Sequence, residues 1–390
     1  MKKFWFIPFI FICTVLISCS NDDNLKDIGE SVEEPGPDPG DEKEENVSDW
    51  GVVAEGLQQQ TYNIYLTTNG TFRQDNNGNE NFNYWWNAHM LDALVDGYAR
   101  TGDASYLPKM NALLEGIKVK NGGNYKNVYI DDMEWLGIAS LRAYKLTGDE
   151  RYKEVAVGLW EEIKKGWNDV HGGGISWKTD MPNSKNACSN GPAAILALKL
   201  YEIDPNPAHL EWAVGIYEWL KDTLVDPATG LVWDNIDMKG GVAVTNKDWI
   251  FTYNVGTYLG AANLLYKATG EGVYLDDAVK TANSAILPGT LTTGGVWKNE
   301  GQGDGGLFKG ILARYFTQLI LNPDLPEDKK DKFIKFIQFN AQTLYQHGLT
   351  NSKLAGPNWN DKPSGRVDLS TQLSGLMLME ARALLQKELN

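Results

Sequence analysis

Two adjacent carboxylic acids, Asp131 and Asp132, are the side chains of this sequence whose type and spacing most favour chemistry. They lie where a polar loop runs into a long apolar stretch over residues 135–146, which predicts a helix. Both acids then fall in the first helical turn, where free backbone N–H groups and the helix dipole stabilise negative charge. One of the two can instead be a simple N-cap, because aspartate is a preferred capping residue.

The chemistry that such a pair suits is hydrolysis of a glycosidic bond. When two carboxyl groups lie about 5–5.5 Å apart across that bond, one attacks the anomeric carbon and the other protonates the departing oxygen. Successive residues of a helical turn diverge by about 100°, so neighbouring aspartates can reach opposite sides of a bound sugar. Their pKa values must differ, because one acid has to be ionised while the other is protonated. Position in the turn alone leaves both assignments open.

A repeated motif indicates which elements position the pair. Residues 98–106, 144–152 and 266–274 each read Tyr-x-x-Thr-Gly, then Asp or Glu, then x-x-Tyr, and residues 201–210 are a looser copy. In each copy an apolar helix ends, Gly or Pro turns the chain, and a second helix begins. Glycine near a helix C-terminus supplies the left-handed residue that such an end requires. The repeating unit is therefore a helical hairpin.

The first helices of these hairpins are apolar nearly all round, as buried helices are. Six are predicted, over residues 86–99, 134–146, 192–201, 255–268, 307–321 and 369–386. The second helices are amphipathic, as over residues 152–165, 208–224 and 331–346. Six inner and about six outer helices in alternation predict an all-α fold, an (α/α)6 toroid. An open TPR-like solenoid is the competing layout, but its period would be more regular.

Alternation places every inner-helix N-terminus on one rim of the toroid. Asp248 precedes the fourth inner helix, Asp304 the fifth and Asp368 the sixth, so we expect these acids near the Asp131–Asp132 pair. The nearest spare acid, Glu134, is expected to hydrogen-bond a neighbour and so to hold the pair in place.

Tryptophans accompany the acids in the loops of the same rim. Trp177, Trp233 and Trp297 lie in Gly-rich loops, and Trp85 and Trp86 open the first inner helix. Flat aromatic rings pack on the C–H faces of sugars, and neighbouring polar groups bond the hydroxyls. Each ring can instead plug the core, and core packing is expected for at least one of Trp85 and Trp86.

Four sequence blocks resemble glycoside hydrolase family 76. They are residues 129–135, 185–191, 251–256 and 303–312, and the similarity runs from about residue 85 to the last helix. The resemblance implies the (α/α)6 fold and endo-acting, retaining hydrolysis of α-1,6-linked mannan, with Asp131 as nucleophile and Asp132 as acid/base. It also implies substrate contacts, each of which can instead be a cap or turn residue, at Asn190, Tyr253, Asn254 and Asp304.

Other functions remain compatible with parts of the pattern. A transglycosidase of this fold would use the same Asp pair, whereas a non-catalytic glycan-binding lipoprotein would need the tryptophans but not the acids. A sugar epimerase of this shape would use histidine as acid/base, and only His89 comes near an inner-helix start. An unsaturated-uronide hydrolase would want a basic rim, and few arginines are there.

The first residues indicate a bacterial lipoprotein. A Met-Lys-Lys start and an apolar run over residues 4–17, short for a membrane span, predict a signal peptide over residues 1–18. The ending Leu-Ile-Ser-Cys resembles a lipobox, which implies a lipid anchor on Cys19. The acidic residues that follow resemble the export signal of Bacteroides-type surface lipoproteins. We therefore expect outer-membrane attachment through Cys19, with the domain on the cell surface or facing the periplasm.

Residues 22–46 hold eleven Asp or Glu and two Lys, and so carry −9 of the total charge of −15. With no apolar periodicity, residues 19–46 are expected to be the anchor and a solvated acidic linker, and residues 47–390 the catalytic domain. Nucleic-acid binding is not expected, because no basic patch is present. We expect a monomer.

Cysteine and histidine usage argues against metal sites and disulfides. Cys188 is the one cysteine left beyond the signal and the anchor, so no disulfide framework is expected. The four histidines are far apart, without the spacing of metal ligands. We expect no metal and no cofactor.

Overall fold

Twelve α-helices alternate between an inner and an outer ring over residues 47–389, which are the residues that the computed structural model describes. The inner helices are α2 (Tyr84–Thr101), α4 (Ile130–Thr147), α6 (Gly191–Ile203), α8 (Thr252–Thr269), α10 (Gly305–Ile320) and α12 (Leu369–Leu389). The outer helices are α1 (Trp50–Tyr65), α3 (Tyr106–Lys120), α5 (Glu150–Ile163), α7 (Pro207–Leu224), α9 (Gly272–Ile286) and α11 (Glu327–Thr343). Each inner helix packs on the next, and α12 packs on α2, so the ring closes. This confirms the predicted (α/α)6 toroid.

The Thr-Gly motifs end three of the inner helices as predicted. Gly102, Gly148 and Gly270 are C-caps with φ of 65°, 68° and 75°, in the left-handed region that favours glycine. Each cap N–H donates to the carbonyl of the tyrosine that opens the motif, at 2.8 Å in all three copies. Five of the inner helices begin one to four residues earlier than the apolar pattern predicts, and α12 begins at the predicted residue.

The Gly/Trp loops form two small antiparallel sheets that the sequence did not predict. One has the order β1 (Ser176–Lys178), β2 (Met181–Asn186), β3 (Asn235–Lys239) and β4 (Val242–Thr245); the other pairs β5 (Thr292–Thr293) with β6 (Val296–Trp297). Short 3₁₀ turns occupy Lys164–Gly166, Val170–Gly172 and Ala187–Ser189, and a π turn occupies Leu344–Gly348. In the first sheet Lys185 pairs with Ile236 and Asp237 with Val244, which joins the loop before α6 to the loop before α8.

A cluster of ion pairs joins three inner helices away from the cleft. The guanidinium of Arg314 in α10 donates two hydrogen bonds to Asp96 of α2, of 2.8 and 2.6 Å. It also pairs with Asp92 at 3.0 Å. Arg142 of α4 pairs with the same two aspartates. Burial alone would raise the pKa of Asp96, but Arg314 and Arg142 lower it to about 2. The cluster therefore ties three inner helices together with buried charges that are mutually compensated.

The predicted signal peptide (1–18), the anchor residue Cys19 and the linker (19–46) lie outside the described residues. Within residues 47–389, no helix combines the length and the apolar character that crossing a membrane requires.

Glycines let neighbouring inner helices approach closely around the ring. A Cβ added to Gly256 of α8 would lie 2.7 Å from the Cα of Leu312 in α10. One added to Gly310 of α10 would lie 2.6 Å from the Cα of Ser374 in α12. Because the opposing atoms are backbone, neither contact can relax by moving a side chain.

We expect Gly310→Ala to destabilise the protein by about 1–3 kcal/mol, because the added methyl group overpacks the α10–α12 contact. The matched control is Gly158→Ala in the outer helix α5, where nothing lies within 4 Å of the added Cβ. The control should stabilise by up to about 1 kcal/mol through helix propensity. Urea unfolding of both variants measures the free energies. Equal effects of the two substitutions would contradict close packing at Gly310.

Candidate active site

A cleft of about 870 Å³ opens at the rim where the first turns of α2, α4, α8 and α10 meet strands β2 and β3. This volume is at the upper end of the range for small-molecule sites and suits an oligosaccharide better than a single sugar. Five carboxyl groups line it, from Asp131, Asp132, Asp234, Asp237 and Asp304. Within residues 47–389, no three His, Cys, Asp or Glu side chains are grouped so that they could hold a metal ion.

Two of the rim acids expected from the sequence do not line the cleft. Asp248 is exposed on the segment that precedes α8. Asp368 is 1% exposed, and its carboxylate accepts a hydrogen bond from the Gly303 N–H at 2.8 Å and pairs with Arg366 at 3.1 Å. These contacts hold the loop before α10 against the start of α12. The expectation that Asp248 and Asp368 join the pair was therefore wrong.

Asp131 and Asp132 are the second and third residues of α4, and both line the cleft. Tyr129 is the N-cap, and it caps through its backbone only, so neither aspartate is the capping residue. The amide of Asn127 donates a hydrogen bond to Asp132 Oδ2 at 3.1 Å. The two carboxyl groups thus enter the cleft from consecutive positions of one helical turn.

The two carboxyl groups differ in acidity. Burial raises the pKa of Asp131 to about 7, although the Cys188 thiol and the N–H groups of the first turn oppose the rise. Burial raises the pKa of Asp132 well above its ordinary range, and the negative charges of Asp131 and Asp304 raise it further. Only Asp131 has contributions that oppose the rise, whereas every contribution at Asp132 raises its pKa, so Asp131 loses its proton first.

Asp304 is oriented by two tryptophans at the start of α2. The indole N–H groups of Trp85 and Trp86 both donate to Asp304 Oδ1, each at 3.0 Å. Trp85 lines the cleft, whereas Trp86 is 2% exposed and reaches it only through this hydrogen bond. Trp86 therefore positions Asp304 and offers no face to a sugar.

Tyr253 lines the cleft, with its ring stacked on Phe308 at a centroid distance of 3.9 Å and an interplanar angle of 10°. The next residue, Asn254, is fully buried and donates its amide to Asp234 Oδ1 at 2.9 Å. Asn254 does not line the cleft. It holds Asp234, which does, and burial raises the pKa of Asp234 to about 6.

Three further residues expected as substrate contacts lie away from the cleft. Asn190 is fully buried, accepts from the Ile175 N–H at 2.8 Å and donates to the Ile175 carbonyl at 3.0 Å, so it fixes a loop. Trp297 is 1% exposed and donates its indole N–H to the Ala285 carbonyl at 3.0 Å. Trp233 does not line the cleft either; Lys247 lies 4.3 Å above its ring. Asn190 and Trp297 therefore have structural roles, and none of the three side chains lines the cleft.

Asp234 and Asp237 were not identified as site residues from the sequence, although a signal was present. Asp234 directly follows Trp233 in a Gly/Trp loop, and Asn235 and Asp237 alternate with buried Ile236 along β3. Period-two alternation puts Asn235 and Asp237 on one face, and both line the cleft. A strand of only five residues next to a pair of glycines is too short to be recognised from the sequence as a strand rather than a loop.

The family model described as glycosyl hydrolase family 76 matches residues 49–389. The chain belongs to this family. It is 76% identical to the α-1,6-mannanase GH76A of Salegentibacter sp. HEL1_6, whose structure matches with a TM-score of 0.86 over 86% of this chain and 100% of that one. Another structure of GH76A is an inactive variant, with two consecutive aspartates replaced by asparagine, in complex with α-1,6-mannotriose; its TM-score, identity and coverage are the same.

Two more distant proteins are also similar to this chain. The Lin0763 protein of Listeria innocua is 36% identical, with a TM-score of 0.81 over 87% of this chain and 98% of that chain. The mannan endo-1,6-alpha-mannosidase DFG5 of Saccharomyces cerevisiae is 24% identical over 327 residues, which cover 76% of this chain and 70% of that protein. The enzyme described here is thus a glycoside hydrolase of family 76.

Beneath the cleft of this family 76 enzyme lies a layer of buried titratable groups. Glu134 is fully buried, and neither carboxyl oxygen has a hydrogen-bond partner within residues 47–389. The expected hydrogen bond from Glu134 to a neighbour is therefore absent from this structure. Burial raises its pKa well above the ordinary range, with a contribution from the charge of Asp131. Burial lowers the pKa of His89 to about 3, so His89 is neutral and does not line the cleft.

We expect the free energy of unfolding of Glu134→Gln, relative to that of the wild type, to increase as pH rises. The buried carboxyl stays protonated in the folded enzyme but ionises in the unfolded chain above the ordinary glutamate pKa, so folding of the wild type weakens with rising pH. Glutamine carries no such proton, and the variant should gain up to about 1.4 kcal/mol per pH unit relative to the wild type. Urea unfolding at about pH 5 and about pH 7 measures this difference. A difference that stays constant with pH would mean that Glu134 is ionised in the folded enzyme.

Proposed function

We propose that this enzyme is a retaining endo-α-1,6-mannanase that cuts mannan backbones. The observation that carries the proposal is the Asp131–Asp132 pair, consecutive in one turn of α4 and separated in acidity. The identity of 76% to the α-1,6-mannanase GH76A supports the substrate, as does the oligosaccharide-sized cleft. The GH76A variant that lacks two consecutive aspartates is described as inactive, which supports the role of the pair.

In the first step Asp131 is the nucleophile. Its carboxylate oxygen attacks the anomeric carbon of the mannose unit, the bond from that carbon to the linking oxygen breaks, and Asp132 gives its proton to that oxygen. The result is a mannosyl ester of Asp131, a shortened chain that leaves, and an ionised Asp132. The order of acidity suits these roles, because Asp131 loses its proton more readily than Asp132.

In the second step Asp132 is the base. The charge of Asp131 helps to raise the pKa of Asp132, and this charge disappears once Asp131 is esterified. The pKa of Asp132 therefore falls in the intermediate, which favours the ionised form that takes a proton from water. The water oxygen attacks the anomeric carbon, the ester bond breaks, and Asp131 leaves as a carboxylate. Both carboxyl groups return to their initial states.

The alternatives place different demands on the same site. A transglycosidase would differ only in the second step, where a sugar hydroxyl replaces water. A glycan-binding lipoprotein has no need for a pair of acids at a helix start. An epimerase would need a histidine that reaches the sugar, and His89 is 3% exposed beneath the cleft.

We also propose that the enzyme is a monomer attached to the bacterial outer membrane through a lipid on Cys19, with the domain on the cell surface. The Leu-Ile-Ser-Cys ending of the signal and the acidic residues after it support this location. A polymer substrate outside the cell suits a tethered enzyme, because a linker lets the domain reach along the surface.

Substitutions at the pair should separate the two roles. We expect Asp131→Ala to abolish cleavage of α-1,6-mannan and of an activated aryl α-mannoside, because no ester can form. Asp132→Ala should slow mannan cleavage by about 10²–10⁴-fold but spare the first step on the aryl substrate, whose leaving group needs no proton. Initial rates measure both effects, and product lengths show whether cleavage is internal. Wild-type binding without cleavage would instead favour the glycan-binding protein.

Lipid attachment is tested by metabolic labelling. Cells that express the wild type should incorporate radiolabelled palmitate into the protein and retain it in the membrane fraction, whereas Cys19→Ala should do neither. The reason is that only the thiol of Cys19 can accept the lipid at the lipobox. Label that persists in the Cys19→Ala protein would refute the anchor.

A further inference from the structure

One side of the cleft is a continuous series of aromatic rings. Trp249, Phe251, Phe308 and Trp85, which we call the aromatic wall, all line the cleft. Successive ring centroids lie 6.3, 5.4 and 6.4 Å apart. Each step is comparable to the length of one pyranose ring. The wall begins beside Asp304, to which Trp85 donates its indole N–H, and ends at Trp249.

The exposure of the wall changes along its length. Trp85, Phe251 and Phe308 are half-buried, whereas Trp249 is 55% exposed and is the one exposed tryptophan within residues 47–389. Single exposed apolar side chains are common and need no explanation. Trp249 differs because its ring continues a row of rings that lines the cleft and reaches Asp304.

Hydrogen bonds hold the backbone of Trp249, whereas its ring is exposed. Its carbonyl accepts a hydrogen bond from the Asp234 N–H at 2.9 Å, and the Asp234 side chain is held in turn by Asn254 at 2.9 Å. Nearby, the Asn246 N–H donates to the Asn235 carbonyl at 2.8 Å. The indole is therefore attached to a loop segment that hydrogen bonds hold beside the cleft. A side chain on an ordered backbone loses less conformational entropy on binding a ligand than one on a mobile loop.

We propose that Trp249 forms the outermost sugar-binding position of the cleft and makes the enzyme prefer long α-1,6-mannan chains. The inference rests on the proposed function, and it adds a distal position to which neither the Asp131–Asp132 pair nor the comparisons point. A mannose unit remote from the cleaved bond covers the exposed indole face with its apolar C–H groups. Short chains that end before Trp249 gain nothing from it. Binding energy from such a remote unit is available to lower the barrier at the reacting bond.

The test compares chain lengths. For Trp249→Ala we expect kcat/KM on α-1,6-mannan and on long manno-oligosaccharides to fall about tenfold, while kcat/KM on mannotriose stays unchanged. Trp249→Phe should restore part of the loss, since phenylalanine keeps a smaller flat ring. The matched control is Phe339→Ala, which removes an aromatic ring of similar exposure, 47%, from the outer helix α11. The control should match the wild type on every substrate.

Binding is measured in parallel by calorimetry with Asp131→Asn as the background, so that the ligand survives. Adding Trp249→Ala should raise the Kd of mannohexaose about tenfold and leave that of mannotriose unchanged. If the wild type cuts mannan but Trp249→Ala loses nothing, or loses equally at all lengths, the inference falls and the proposed function stands. If the wild type neither binds nor cuts α-1,6-linked saccharides, both fall.

Discussion

Removing two adjacent carboxyl groups from water is the constraint on which the rest of this enzyme depends. Burial alone favours neutral acids, and two negative charges side by side would repel each other at low dielectric. The first turn of α4 and the Cys188 thiol help only Asp131 to ionise, so the two groups separate in acidity. The separation in acidity lasts only while α4 stays in place and water is excluded from the two carboxyl groups. Close contacts around the inner ring supply that rigidity.

Charged and neutral groups lie at different levels along the inner helices. Negative groups line the cleft; below them Glu134 and His89 are both neutral, since their pKa values are shifted in opposite directions by the same burial. Below these, two arginines and two aspartates compensate each other. The negative charges of Asp131 and Asp304, which line the cleft, raise the pKa of Asp132. The aromatic wall adds apolar surface to the cleft.

Features encoded locally could be predicted from the sequence, whereas features decided by tertiary contacts could not. The Thr-Gly turns, the inner helices and the acids of α4 depend on residues close together in the chain. Trp85 and Trp86 are neighbours of the same type, yet only Trp85 faces the cleft, because one helical step turns a side chain by about 100°. Trp297 and Asn190 have the expected types and loops, but longer-range packing buries both. Such outcomes depend on partners far away in sequence.

Closure of the ring also governs the order in which the chain can fold. The contact of α12 with α2, and the pairing of Arg314 with Asp96 across 218 positions of sequence, join opposite ends of the domain. Contacts of such large separation form slowly, because a long loop must close first. Until α10 arrives, Asp92 and Asp96 lack one of their two arginines, and the face of α2 that receives α12 stays in water. The inner ring is therefore complete only when α12 packs on α2.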